Sequence, residues 1–123
     1  RKSDIITVHL PLTQNTRGIL DEKILSLMKE QAVIVNTSRG AVFDEAALAK
    51  ALKERRIAGA AVDVFSVEPL PENHPFTEIK DMPNFLMTPH MAWGAYEARC
   101  RLVKNVALNI KAFSDGRMDN RIV

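Results

Sequence analysis

The sequence predicts an α/β fold built on a parallel sheet. Three observations predict it: short β-branched apolar runs alternate with stretches of helical periodicity, a polar segment ends each run, and the composition is that of one packed core. Parallel neighbours need a covering segment between them, and the order strand, helix, strand, helix, strand, loop, strand, helix provides one each time. At 123 residues, 46% hydrophobic and 26% charged, the chain is too apolar for a disordered segment. A chain of this size buries roughly two thirds of its unfolded surface, which suits one core and not two.

The elements follow in order. Ile5-Ile6-Thr7-Val8-His9-Leu10 is β-branched and short, and Pro11 closes it, so it reads as a buried strand. Asp21 caps a helix in which Ile24, Leu25, Leu27 and Met28 recur at helical spacing. Ala32-Val33-Ile34-Val35 is the second strand, followed by Asn36-Thr37-Ser38-Arg39-Gly40. Asp44 then caps a helix with Ala47, Leu48, Ala51 and Leu52 on one face. The third strand, within Ile57 to Val64, is rich in small residues that let a helix pack close. Pro69, Pro71, Pro75 and Pro83 crowd residues 66–84, which predicts an ordered loop with at most a turn of helix. Loops of that length in compact domains are usually functional. Phe85-Leu86-Met87-Thr88 is a fourth strand ended by Pro89. A long helix is expected from about Gly94 to Ser114, with Ala98, Leu102, Val106, Ile110 and Phe113 inward and Gly116 at its stop. Strands this apolar imply that both sheet faces are covered.

Charge and cysteine content exclude several functions. Lys and Arg total 17 against 15 Asp and Glu, a net charge of +2 without a basic patch, so no nucleic-acid partner is expected. No apolar run approaches the roughly 20 residues of a membrane span, so no membrane partner is expected either. One cysteine, Cys100, and three histidines make a structural zinc site improbable, no metal is expected, and a reducing, cytoplasmic setting is the default. Cys100 reads as a small buried hydrophobe, Trp93 and Phe65 as packing residues, and His9 and His74 as structural or solvent-facing.

In open parallel sheets ligands bind beyond the carboxyl ends of the strands. The exits are His9-Leu10-Pro11-Leu12-Thr13, Asn36-Thr37-Ser38-Arg39-Gly40, Asp63 leading to Glu68-Pro69, and Thr88-Pro89-His90. Parallel strands place Arg39, Asp63, Glu68 and His90 on one edge. An Arg, a carboxylate and a His suit reduction of a keto acid. The guanidinium holds a carboxylate through two hydrogen bonds, and the imidazole moves a proton while a neighbouring carboxylate fixes its tautomer. Each residue also has a structural reading taken alone: Arg39 in a surface ion pair, His90 as a hydrogen-bonded imidazole, Glu68 as a turn cap, Asp63 as a loop cap.

Motifs in sequence order resemble those of the D-isomer-specific 2-hydroxyacid dehydrogenases. They are Ser3-Asp4-Ile5 through His9-Leu10-Pro11-Leu12-Thr13, Met28-Lys29, Asn36 to Gly40, Asp44-Glu45-Ala46-Ala47-Leu48, Gly59 to Phe65, Glu68-Pro69-Leu70 and Thr88-Pro89-His90-Met91-Ala92. The stretch His90-Met91-Ala92-Trp93 to Glu97-Ala98-Arg99 is similar to the glycerate dehydrogenase and hydroxypyruvate reductase branch. Phe43, where the family usually shows Val or Ile, is a mild departure.

By that resemblance Arg39 matches the arginine that holds the substrate carboxylate, and Glu68 and His90 match the pair that donates the proton. Asp63 matches the acid near the nicotinamide amide. His9, Pro11, Leu12, Thr37, Ser38 and Arg39 match loops that touch the cofactor, and His90 and Ala92 are placed beside it. The implied cofactor is NAD or NADP. The family's Gly-x-Gly-x-x-Gly phosphate loop does not occur among the five glycines. The resemblance therefore implies half of a Rossmann-type doubly wound parallel sheet with a long C-terminal helix. Residues 1–115 are expected to be the C-terminal part of the dinucleotide-binding domain and residues 116–123 a tail on the substrate-domain side. In that tail Asp119-Asn120-Arg121-Ile122-Val123 resembles a closing strand. The implied activity is hydride transfer between a nicotinamide and a small D-2-hydroxy or 2-keto acid, glycerate or hydroxypyruvate favoured, in a full-length homodimer. A cofactor-sensing, corepressor-like binding protein and an inactive fragment are the alternatives.

Overall fold

The computed structural model describes residues 2–122 and divides after His90 into two compact units. The first holds a four-stranded sheet in the order β1-β2-β3-β4, with every neighbouring pair parallel. The strands are β1 (Ile5–Val8), β2 (Val33–Asn36), β3 (Gly59–Val62) and β4 (Phe85–Met87). The register sets Val8, Asn36, Val62 and Met87, the last residue of each strand, side by side. Four loops therefore leave the sheet at one edge, and that alignment positions the site.

Side chains alternate across a strand, so the row Ile6, Ile34, Ala60, Phe85 shares a face with the row that ends the strands. This face carries the core. Leu25 from the single-turn helix α1 (Glu22–Leu25) and Val42, Phe43, Leu48 and Leu52 pack there, with Phe76 and Ile79 from the loop after β3. Helix α2 (Glu45–Lys53) is amphipathic, and Ala47, Leu48, Ala49, Ala51 and Leu52 are buried. Asp21 and Asp44 start the two helices by accepting the N–H groups of Ile24 at 2.8 Å and Ala47 at 3.0 Å, the satisfaction an N-cap supplies. The proline-rich segment holds one 3-10 turn, Pro75–Glu78, with Pro75 at its start, where a missing N–H costs nothing.

The opposite sheet face differs from expectation. Ile5 is 68% exposed and Leu86 61%, and Val33, Val35 and Ala61 are only half-buried. β1 and β4 are edge strands, each paired on one side, and the helices between strands pack on the core face. Apolar composition records what a strand can bury; how many faces are covered depends on the elements available.

The second unit contains helix α3 (Tyr96–Ser114) and a tail. Its expected inward face is not buried: Leu102, Val106, Ile110 and Phe113 are exposed, Phe113 at 85%, Ala98 is half-buried, and Ala112 is the buried residue. Cys100 and Trp93 are likewise exposed, against the expectation that both pack inward. Within residues 91–123 no second helix or strand is described that could receive an apolar stripe. Gly116, at φ +75°, does end the helix: its N–H reaches Phe113 O at 3.0 Å and the Arg117 N–H reaches Ala112 O at 2.8 Å. Residues 119–122 form no strand, and Val123 lies outside the described residues.

Leu48→Ala, at a fully enclosed position, should cost about 2–5 kcal/mol. Leu102→Ala on α3 should stay within about 0.5 kcal/mol of wild type. Urea midpoints of the two variants check the pair, and equal losses would contradict the burial pattern.

Candidate active site

At the β2 exit, Asn36 is completely buried. Its Oδ1 accepts the Ser38 N–H at 3.0 Å and the Ser38 hydroxyl at 2.8 Å, while its Nδ2 donates to Arg39 O at 2.9 Å. One side chain thus folds Thr37, Ser38 and Arg39 into a turn, the local bonding that favours Asn at such positions. The Arg39 side chain is exposed and its Nη1 donates to Ser38 O at 2.7 Å. Gly40 follows for a steric reason. A Cβ there would lie 2.0 Å from the Phe65 carbonyl carbon and 2.3 Å from Ser66 N, so the β2 exit presses directly on the backbone of the β3 exit.

The β3 exit begins with Asp63, which is 3% exposed. Its N–H donates to Asn36 O at 2.9 Å, and its Oδ1 accepts the Thr88 hydroxyl. Three residues after Phe65, Glu68 turns back: its Oε1 accepts the Phe65 N–H at 2.9 Å and its Oε2 meets His90 Nδ1 at 2.8 Å. An ionised carboxylate only accepts, so Nδ1 carries the proton and the tautomer is set by Glu68. The His90 hydrogen bond, then that from Phe65, hold the Glu68 carboxyl below the usual glutamate range.

His90 has φ +52°, a left-handed conformation that a residue with a Cβ occupies at a cost of order 1 kcal/mol or more. Its N–H donates to Thr88 O at 3.0 Å. Such outliers persist where surrounding contacts over-determine them, and they gather at functional sites. The β1 exit is ordered by Thr16, whose hydroxyl donates to Pro11 O at 2.6 Å and accepts the Thr13 N–H at 2.8 Å. His9, Pro11 and Leu12 are exposed along it.

The structure therefore brings Glu68 and His90 into direct contact, across 22 residues, and sets the Arg39 turn against the Phe65–Ser66 peptide, next to the Phe65 N–H that Glu68 accepts. Asp63 lies at the same edge, bound to Thr88. Ala92 belongs to the second unit. Asn36 and Thr88 enter the sequence reading as members of exit motifs with no role of their own, and Thr16 does not enter it. An Asn at the end of a strand carries a turn signal that could have marked Asn36; the other two act through contacts that spacing does not reveal.

A parallel sheet whose carboxyl edge carries an Arg, a His–Glu pair and a buried acid defines an α/β domain with a candidate site at its strand exits. Comparison with known proteins makes this specific. Residues 1–92 match the model of the D-isomer specific 2-hydroxyacid dehydrogenase, NAD binding domain, and the chain belongs to that family. It is 47% identical over 123 residues to a glyoxylate reductase of Aeropyrum pernix, covering all of this chain and 36% of that protein. It is 40% identical over 119 residues to a glycerate dehydrogenase of Methylorubrum extorquens, covering 97% and 38%. The NAD-complexed D-isomer specific 2-hydroxyacid dehydrogenase from Lactobacillus delbrueckii ssp. bulgaricus superposes with a TM-score of 0.88 at 29% identity, covering 99% of this chain and 40% of that one. The chain spans a little over a third of the length of the curated relatives it matches.

Because the Glu68 carboxyl is lowered on folding, its pairing stabilises the protein above the usual glutamate range, and this contribution is lost as pH falls through the lowered value. The difference in urea midpoint between wild type and Glu68→Gln should be largest near neutrality and shrink toward pH 3. A difference that grows on acidification contradicts the pairing. Gly40→Ala should destabilise by about 3 kcal/mol or more, since backbone atoms stand where the methyl must go; a wild-type midpoint would contradict the close approach.

Proposed function

We propose that this chain supplies the proton-transfer and substrate-anchoring groups of an NAD- or NADP-dependent D-2-hydroxyacid dehydrogenase of its relatives' length, acting on a two- or three-carbon 2-keto acid. The observation that carries the reading is the Glu68–His90 contact at 2.8 Å, at the sheet edge from which Arg39 also projects. The matched glyoxylate reductase and glycerate dehydrogenase support a short substrate, glyoxylate as well as the hydroxypyruvate and glycerate pair. Activity as a cytoplasmic homodimer is part of the proposal.

The residues present fit the nicotinamide end of the cofactor. Asp63 is a buried acceptor at the exits, suited to the N–H donors of a carboxamide. Thr37, Ser38 and the His9 to Leu12 loop offer hydroxyl and backbone groups beside it, with Ala92 further along the chain. Nothing here fits the pyrophosphate end, because the five glycines form no Gly-x-Gly-x-x-Gly turn. When bound, the nicotinamide supplies or takes up a hydride.

The chain's own groups do the rest. The Arg39 guanidinium receives the substrate carboxylate in a two-bond fork and so fixes which face of the keto carbon is presented. His90 gives its proton to the carbonyl oxygen during reduction and withdraws it from the hydroxyl in reverse. Glu68 keeps the Nδ1 proton in place, which leaves Nε2 as the nitrogen that exchanges, and its negative charge stabilises the imidazolium.

In the full-length protein carrying this chain, His90→Ala should lower kcat by about two to four orders of magnitude. Arg39→Lys should raise KM for the keto acid about tenfold or more, because an ammonium cannot form the fork. Cofactor absorbance during steady-state turnover of glyoxylate and hydroxypyruvate measures both, and near-normal kcat in His90→Ala removes the proposed proton donor.

A further inference from the structure

Glu45, at the first position of α2, is an acid that the reaction does not use. It is 9% exposed, and three donors meet its carboxylate. Oε1 accepts the Ser66 N–H at 2.8 Å, and Oε2 accepts the Ser66 hydroxyl and His74 Nε2 at 3.0 Å. His74 is 6% exposed, and its Nδ1 accepts the Phe76 N–H at 3.1 Å. The His74 tautomer is therefore fixed with its proton on Nε2, aimed at Glu45. The edges of Phe65 and Phe76 enclose the ring, with centroids 6.4 and 4.9 Å away. A buried carboxylate is costly without such partners, and the N-terminus of α2 adds a favourable dipole.

Two successive amides, those of Phe65 and Ser66, are thus held by two carboxylates from different places. Glu68 takes the first from within the loop, and Glu45 takes the second from α2. Gly40 closes on the same peptide from the Arg39 side. We propose that Glu45, locked by His74, is a positioning residue for the Glu68–His90 pair, acting through the Phe65–Ser66 backbone. This role rests on the dehydrogenase reading above. Hydrophobic burial alone does not account for Glu45, because an apolar residue of similar size would leave the Ser66 N–H and His74 Nε2–H without acceptors.

The consequence reaches Glu68 by one route. If Ser66 is released, the adjoining Phe65 N–H no longer sits at a fixed place, and one of the two hydrogen bonds that lower the Glu68 carboxyl weakens. A role confined to packing would lower the melting temperature and leave that titration where it is.

The test is a carboxyl-carbon NMR titration of Glu68 in the 123-residue chain, with kinetics of the same variants in the full-length protein. In a folded Glu45→Ala variant, the Glu68 midpoint should rise toward the usual range by about half a pH unit. The value of kcat should fall about tenfold, with KM for the keto acid within about twofold. Glu45→Gln keeps an oxygen for the Ser66 N–H and should recover at least half of both changes. An unmoved Glu68 midpoint in folded Glu45→Ala overturns the role. If that variant does not fold, Ser66→Ala, which removes the hydroxyl that anchors Glu45 Oε2 and so loosens the carboxylate that holds the Ser66 N–H, should still raise the Glu68 midpoint by a smaller amount, and an unchanged value overturns the role equally. Should His90→Ala keep its turnover, the dehydrogenase reading fails whatever Glu45 does. Should His90→Ala be inactive while Glu68 stays unmoved in the Glu45 variants, only the positioning role fails.

Discussion

The two successive peptides that carry the Phe65 and Ser66 N–H groups are the constraint on which the arrangement of the sheet edge depends. Gly40 presses against them from the β2 exit, the Glu68 carboxylate takes the Phe65 N–H, and Glu45 takes the Ser66 N–H. A backbone peptide makes a good common support because its donors and acceptors are fixed by planarity, with two soft dihedrals per residue. Gly40 and Glu45, 20 or more residues before this backbone, and Glu68, just after it, thereby acquire one reference point. Burial reinforces it, since Phe65 packs against the core cluster and meets Phe76 edge-on at 6.3 Å.

Below that support, the register supplies coarse placement. With Val8, Asn36, Val62 and Met87 aligned, each loop starts within one strand spacing, about 4.8 Å, of the next. Hydrogen bonds then convert coarse placement into orientation. Asn36 shapes the Arg39 turn, Thr88 binds Asp63, and Glu68 meets the imidazole of His90, whose backbone is left-handed. The Glu68–His90 pair is partly open to solvent, at 36% and 45% exposure. Its contribution to folding is accordingly modest. Its value lies in fixing a tautomer, which needs geometry more than energy.

The fold was legible where local patterns are strong. Asp21 and Asp44 cap the helices they precede, the four apolar runs are the four strands, and Gly116 stops α3. Trouble came wherever a pattern says what a surface could bury without saying what is there to bury it. Leu102, Val106, Ile110 and Phe113 have helical spacing and remain exposed; Ile5 and Leu86 are strand residues on a face left partly open; Cys100 and Trp93 follow suit. At the site, Arg39, Glu68 and His90 could be chosen as residue types able to handle a keto acid, helped by their motifs. Glu45 looks in the sequence like any acid in a first helical turn, and His74 like any loop histidine.

What the sequence by itself determined is the alternation of strands and helices, the parallel sense that alternation requires, and the chemistry available at each strand exit. These are short-range properties: side-chain periodicity, capping and the steric demands of proline and glycine act within a few residues. Only the tertiary structure decided which exits touch, that Gly40 must lack a side chain because Phe65 and Ser66 occupy the space, and that Glu45 and His74 form a buried pair 29 residues apart. Contacts of that kind depend on distances between elements, which follow from how strands register and how a helix seats on a sheet, and no local pattern encodes them.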